Sequence, residues 1–275
     1  MTKINRTVIP FSSFLCGILV IGHVDLVFIL LSLIAIGSIY AGAGVINDLF
    51  DSDIDAKASP NRPLPSGNTN RKQIIMLFFA FSIIGLSVAY VASELYNSQL
   101  FLWLMLIEFV LGVLYSATLS KHFITANGVL GMSHGVIPFL AATLTANIQP
   151  NAEILIISIL LWTVLFFTYN LKDMKDYEGD ALKRTTLPTL FGPDKARGMN
   201  AIFLGLPLVV NMFLFLSSDI KPLGFGLGIL PAILLFVIGY KLRAFYKQEH
   251  YVWALNTYRI LMALFLISLA FVRVF

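Results

Sequence analysis

Long apolar runs constrain this chain more than any other feature of its sequence. Nine of them are long enough for an α-helix to cross a hydrocarbon core of ~30 Å. Backbone groups in lipid must hydrogen-bond within their own segment, so such runs cross the bilayer as helices. The predicted spans, with approximate ends, are 8–24, 27–46, 73–92, 99–119, 124–146, 154–171, 201–217, 223–240 and 254–274. The sequence therefore predicts an all-α polytopic membrane protein with nine transmembrane helices.

Composition and charge agree with this prediction and orient it. Charged residues make up 12% of the chain, against the roughly 25% typical of soluble domains. When loops are assigned alternately to the two sides, every Lys and Arg falls on one side except Lys221, Arg273 and the intramembrane Arg259. The positive-inside rule then places the N-terminus on the cytoplasmic side of a cell membrane. Basic loops beside anionic membrane lipids account for the pI of about 9.1, so no nucleic-acid partner is expected.

An acidic pattern occurs twice, 125 residues apart, on the predicted cytoplasmic side. Its spacing is D-x2-D-x3-D, which puts three carboxylates on one face of a helix. A solvated acidic loop would account for one such cluster, but its duplication favours a shared site. Carboxylates this close repel one another unless a hard cation such as Mg²⁺ binds their oxygens. The two copies are Asp48, Asp51 and Asp55, then Asp173, Asp176 and Asp180.

The duplication also predicts how the chain is organised. The copies follow the second and sixth spans, so corresponding helices of two halves deliver them. We expect one domain over 1–275, built of pseudo-repeats at about 1–122 and 123–247, with the ninth helix left over. Neither half would bury its polar face alone.

Basic and hydroxyl groups accompany the acidic pattern. Arg62 lies in the loop N61-R-P-L-P-S-G67, and its planar guanidinium suits phosphate. Tyr115 and Lys121 end the fourth predicted helix at the same membrane face. Cytoplasmic loops carry Arg and Lys in any case. The charge of Lys121 could therefore serve only to orient the protein in the membrane.

These motifs resemble those of the UbiA superfamily of intramembrane prenyltransferases. The stretch from Asn47 to Gly67 is similar to the first signature of that family, and K172-D-M-K-D-Y-E-G-D180 with T186-L-P188 is similar to the second. The resemblance covers the whole chain. It implies nine helices around a central cavity, Mg²⁺ as cofactor, and an isoprenyl diphosphate as donor. Its implied metal ligands are Asn47, Asp48, Asp51, Asp55, Asp173, Asp176 and Asp180. Its implied substrate-binding residues are Asn47, Arg62, Tyr115, Lys121 and Lys172, and its implied catalytic residues are Asp51, Asp55, Asp176, Asp180 and Lys121.

The same resemblance bears on the reaction. The second motif, taken together with N61-R-P-L-P-S-G67 of the first, is most similar to the digeranylgeranylglyceryl phosphate synthase branch and to the branches that prenylate chlorophyll and homogentisate. It implies geranylgeranyl diphosphate as donor and a lipid-soluble or amphipathic acceptor, with geranylgeranylglyceryl phosphate as the leading candidate. The Arg-Pro pair that usually opens the first helix of the family is missing, since Thr7 follows Arg6. An aromatic acceptor, a UbiA-type terpene cyclase and a membrane transporter remain alternatives.

Three ionisable residues fall inside the predicted spans: Glu108, His134 and Arg259. Charges at such depth are costly, so they usually face the bundle interior or a cavity. Glu108 or His134 could accept a proton from the incoming nucleophile. Glu108 could instead pair with Arg259, and His134 could bond to a neighbouring helix.

Overall fold

The computed structural model describes residues 7–22, 25–58, 60–143, 151–181, 184–217, 222–243 and 248–271. Within these ranges the regular structure is helical, apart from an isolated bridge between His122 and Thr185. The α-helices are α1 (Val8–Ile21), α2 (Leu26–Phe50), α3 (Ser52–Ala58), α4 (Arg71–Leu95), α5 (Gln99–Ala117), α6 (Phe123–Gly131), α7 (Ile137–Thr143), α8 (Ala152–Thr168), α9 (Asn170–Asp180), α10 (Leu187–Phe191), α11 (Pro193–Phe203), α12 (Leu206–Ser217), α13 (Pro222–Leu242) and α14 (Gln248–Ser268). A π-helical turn, Met132–Val136, joins α6 to α7, and short 3₁₀ turns occupy Leu119–Lys121 and Leu269–Phe271.

The predicted all-helical membrane fold is confirmed. Eight helical stretches of the described chain are long and apolar enough to cross a membrane. The remaining predicted span, 8–24, corresponds to α1, an apolar helix of 14 residues. The predicted ends at 24, 146 and 274 lie outside the described residues. The eight stretches are Leu26–Phe50, Arg71–Leu95, Gln99–Ala117, Phe123–Thr143, Ala152–Asp180, Pro193–Leu214, Phe225–Leu242 and His250–Phe271.

The sixth span runs further than the apolar pattern predicted. Helix α9 follows α8 with only Tyr169 between them, so the helical stretch continues to Asp180 rather than ending near 171. The hydrophobic run stops where polar residues begin, but the backbone remains helical beyond it. The second acidic pattern therefore lies on a helix that continues a membrane span.

Caps and small residues fix the helices of the first half. The Asp25 carboxylate accepts the N–H groups of Val27 and Phe28 and starts α2. Gly112 on α5 lies so close to α2 that a Cβ there would be 2.8 Å from the Cβ of Ala43. Small residues allow this approach where helices pack in a membrane. The close contact brings one face of α5 against the face of α2 that carries the first acidic pattern.

Buried apolar side chains form two clusters. One lies among α1, α2, α4, α5 and α7 and includes Phe14 and Phe101. The other lies mainly among α8 to α14 and includes Leu161 and Tyr258, with Cys16 of α1 joining it. Helix α1 packs against both α7 and α14 and so connects the two clusters. Elsewhere the described helices expose large apolar side chains, as expected of surfaces that face lipid.

Candidate active site

A cavity of about 1020 Å³ is lined by residues from both predicted halves and from α14. Its walls come from α1, α2, α3, α5, α6, the π turn, α9 and α14, together with the segments that follow α3 and α9. Five of the six patterned carboxylates line it at one end: Asp48, Asp51, Asp55, Asp176 and Asp180. The sequence prediction that both patterns belong to one site is therefore supported by their positions.

The first acidic pattern lies at the junction of α2 and α3. Asp48 and Asp55 are buried, and Asp51 is the residue that separates the two helices. Arg62 folds back from the loop so that its Nη1 is 2.5 Å from Asp55 Oδ2 and 3.8 Å from Asp48 Oδ1. Burial raises the pKa of Asp55, and the neighbouring Asp51 and Asp48 raise it further, while Arg62 opposes the rise. Burial also opposes the charge of Arg62, but Asp55 and then Asp48 outweigh it and raise the pKa of the guanidinium.

The second acidic pattern faces the first from α9. Asp176 pairs with the ammonium of Lys175, and Asp180 lies 3.5 Å from Nη1 of Arg184. Arg184 also reaches across to the first half, where its Nη2 donates to both oxygens of Asp51 at 2.5 and 2.6 Å. Burial opposes the charge of Arg184, but Asp51, and more weakly Asp180, help to raise the pKa of its guanidinium. One guanidinium thus connects the two motifs directly.

Two other predicted residues meet inside the cavity. The Lys172 ammonium donates to the Tyr115 hydroxyl at 3.5 Å, and it lies 6.0 Å from the centre of the Tyr115 ring. Both side chains line the cavity, as does Asn47. Lys172 and Asn47 occupy equivalent positions in the two halves, 125 residues apart.

Asp173 and Lys121 do not line the cavity. Asp173 is half-buried one turn before Asp176. Lys121 is exposed and acts through its backbone, because its carbonyl accepts the Thr185 N–H at 2.7 Å. Thr185 in turn accepts the N–H of Phe123 at 2.8 Å. These bonds fix Thr185, the residue next to Arg184. The Lys121 backbone therefore helps to position the segment that carries the Arg184 guanidinium.

Sequence reasoning missed Arg184 and Lys175 as site residues. Both were counted only as basic residues of a cytoplasmic loop. A signal was present, because each acidic pattern is followed within two helical turns by an arginine, Arg62 after Asp55 and Arg184 after Asp180. Comparison of the two halves did not reveal this signal, because Arg62 and Arg184 do not occupy matching positions in the repeat.

A second polar layer lies deeper in the cavity. Glu108 accepts a hydrogen bond from Ser133, and Tyr40 donates to the Ser133 carbonyl. The ring of His134 stacks edge-on against Tyr40 and Tyr169, with centroids 5.0 and 5.4 Å apart. Glu108 is therefore bonded to Ser133 and not to Arg259, which contradicts the structural pairing considered from the sequence.

Arg259 enters the same layer from α14. Its Nη1 donates to Asn256 Oδ1 at 3.2 Å, and both side chains line the cavity. Glu108, His134 and Arg259 all line the cavity. This position is expected, because a charged side chain that faces lipid is energetically costly.

The sequence pattern of the UbiA prenyltransferase family matches residues 10–261. The chain belongs to this family. Membership makes it an intramembrane prenyltransferase, an enzyme that transfers an isoprenyl group. The transporter alternative is thereby removed.

Individual UbiA proteins resemble the chain over most of its length. The digeranylgeranylglyceryl phosphate synthase of Saccharolobus solfataricus is 26% identical over 82% of this chain and 77% of its own. The enzyme of the same name from Pyrococcus furiosus is 31% identical over 72% of this chain and 67% of its own. A UbiA homolog from Archaeoglobus fulgidus, solved bound to GPP and Mg²⁺, has the same fold with a TM-score of 0.67 and 19% identity, covering 96% of this chain and 95% of that one.

The donor set of this UbiA chain fits a divalent cation that binds together with a phosphate ligand. Six carboxylates and five Lys or Arg side chains line the cavity, so fixed charges alone would not neutralise a diphosphate. No three His, Cys, Asp or Glu groups within the described residues converge as a ready-made metal site. Mg²⁺ typically takes one or two carboxylates plus phosphate oxygens and water. Oxygen donors on both walls, with space between them, match that requirement.

Proposed function

We propose that this enzyme transfers a geranylgeranyl group from geranylgeranyl diphosphate to geranylgeranylglyceryl phosphate, with Mg²⁺ as its cofactor. The reaction joins the donor carbon to an acceptor hydroxyl and releases diphosphate. Similarity to synthases of digeranylgeranylglyceryl phosphate supports this choice of acceptor. The charge asymmetry of the loops supports a cytoplasmic position for the acidic end of the cavity.

One observation carries the proposal: acidic and basic side chains from both halves meet at one end of the cavity. Arg62, Arg184, Lys172 and Lys175 all line that end. Breaking the allylic C–O bond places negative charge on the departing diphosphate. Fixed cations positioned beforehand stabilise that charge as it develops. Tyr115 adds a hydroxyl donor next to Lys172.

The carboxylates would hold the metal. We assign this role to Asp51 and Asp55 on one wall and to Asp176 and Asp180 on the other, with Asn47 beside them. When bound, Mg²⁺ would polarise the diphosphate oxygens and neutralise their charge. Arg62 pairs with Asp55 and Arg184 with Asp51, so both guanidiniums lie directly beside the proposed ligands. Binding of metal and donor would free both guanidiniums for the diphosphate.

The rest of the cavity suits the isoprenyl chain. Leu111, Val129, Leu130 and Leu255 line it, and such side chains exclude water from a reactive allylic carbon. The rings of Tyr40 and Tyr169 also face this space, where aromatic faces can stabilise positive charge.

A product assay tests the proposal. Purified protein would be incubated with geranylgeranyl diphosphate, Mg²⁺ and either geranylgeranylglyceryl phosphate or an aromatic acceptor such as homogentisate, and products would be identified by mass spectrometry. We expect an ether product from the glyceryl phosphate acceptor, abolished by EDTA and restored by added Mg²⁺.

Each other outcome would overturn part of the proposal. Product from the aromatic acceptor alone would reassign the acceptor. Hydrocarbon or alcohol formed from the donor without any acceptor would indicate a cyclase. Failure to consume the donor with any divalent metal would contradict the proposed reaction.

A further inference from the structure

The π turn Met132–Val136 leaves one backbone carbonyl in the cavity wall without a helical N–H donor. The Ile137 N–H reaches back five residues to the Met132 carbonyl. The next carbonyl, that of Ser133, would need the N–H of Pro138 at the same reach, and proline has none. The Tyr40 hydroxyl on α2 donates to the Ser133 carbonyl instead. Turns of this kind are frequent at functional sites.

The π turn also determines how Glu108 is held. Ser133 and His134, which are adjacent in sequence, both line the cavity. The Ser133 hydroxyl donates to Oε1 of Glu108. Glu108 is only 2% exposed. Oε2 of the same carboxylate is buried, and it has no hydrogen-bond partner among the described residues. A buried acceptor without a donor is costly, so this oxygen is placed to receive a hydrogen bond from a ligand.

The position of Glu108 relative to the acidic end follows from helix geometry. Glu108 and Tyr115 are seven residues apart on α5, and Tyr40 and Asn47 are seven apart on α2. At 1.5 Å per residue, seven residues place each pair on one face and about 10 Å apart along the axis. All four line the cavity. With the diphosphate at the acidic end, the reactive carbon of the donor would lie between the two layers.

We propose that Glu108 is the catalytic proton acceptor for the hydroxyl of the acceptor lipid. Oε2 would accept a hydrogen bond from that hydroxyl. As the hydroxyl oxygen bonds to the first carbon of the isoprenyl group, the C–O bond to diphosphate breaks, its electron pair leaves with diphosphate, and the hydroxyl proton passes to Glu108. This inference rests on the proposed function, because it requires a hydroxyl acceptor.

The test compares turnover with donor binding. Glu108→Gln keeps the shape of the side chain and an oxygen for Ser133, but it cannot take up a proton in the same way. General-base catalysis typically contributes 10²–10⁴-fold, so we expect kcat to fall by about that factor while KM for the donor changes little. Glu108→Ala should regain part of its rate when formate is added, since formate can replace the missing carboxylate. Glu94→Gln, an exposed carboxylate at the end of α4, is the matched control and should behave as wild type.

The outcomes separate this inference from the proposed function. Wild-type kcat in Glu108→Gln would overturn the role of Glu108 and leave the proposed function intact, provided that Asp176→Asn is inactive in the same assay. A large rise in donor KM without loss of kcat, or no formate rescue of Glu108→Ala, would assign Glu108 to structure and overturn the inference. If the wild type forms no ether with a hydroxyl acceptor, the proposed function fails and this inference fails with it.

Discussion

Asp51→Asn and Asp176→Asn are each expected to lower isoprenyl transfer by at least about 10²-fold. Each substitution removes a negative oxygen ligand from one wall of the cavity and keeps the size of the side chain. Because the site draws ligands from both walls, loss of either motif should be as damaging as loss of both. Turnover of geranylgeranyl diphosphate with saturating Mg²⁺ and acceptor measures the effect.

Matched controls for these variants lie within two residues of each aspartate. Asp53→Asn and Glu178→Gln remove exposed carboxylates that do not line the cavity. Each control removes one negative charge, as the variant it is compared with does. Both controls should retain turnover close to that of wild type. Full activity in Asp51→Asn or Asp176→Asn would contradict a mechanism that needs both motifs.

Arg184→Gln is expected to reduce both stability and donor binding. Its guanidinium is bidentate to Asp51 and also approaches Asp180, and its side chain is only 8% exposed. Removing one partner of a buried ion pair leaves the remaining charge uncompensated, which typically costs about 3–5 kcal/mol. We therefore expect a lower midpoint of thermal unfolding in detergent and a KM for the donor raised about tenfold or more.

Lys121→Gln is the control for Arg184→Gln. Lys121 is basic and is tied to the same stretch of chain through Thr185, but its contribution comes from its backbone carbonyl. Its substitution should leave both unfolding and donor KM nearly unchanged. A loss of donor binding in Lys121→Gln equal to that in Arg184→Gln would show that the exposed ammonium reaches the substrate after all.

The sequence predicted the membrane fold because span length is a direct consequence of bilayer thickness. The duplicated spacing also predicted that carboxylates from equivalent helices in two halves share one site, and Asp173 is the one of the six that does not line the cavity. Asp51 and Asp176 line one cavity as that reasoning required. The ends of the helices were less predictable, because α9 continues through polar residues where the hydrophobic signal has stopped.

Contacts between distant side chains could not be predicted from the sequence. The bond from Arg184 to Asp51 joins residues 133 positions apart, and no local pattern specifies it. The same is true of Tyr40, whose partner Ser133 depends on a π turn and on the missing N–H of Pro138. Lys121 was predicted from its charge and its position at the membrane face, and its exposed side chain lies outside the cavity lining. The repeat boundaries at about 1–122 and 123–247 stay a prediction.

The central claim is that both acidic motifs bind one metal–diphosphate unit, and coupled binding tests it most directly. Calorimetric titration of Mg²⁺ into the purified protein would be run with and without a non-hydrolysable geranylgeranyl diphosphate analogue, for wild type, Asp51→Asn and Asp176→Asn. We expect weak Mg²⁺ binding without the analogue, binding strengthened about tenfold or more with it, and loss of this coupling in either variant. Tight Mg²⁺ binding that ignores the analogue, or coupling that survives in either variant, would contradict the claim.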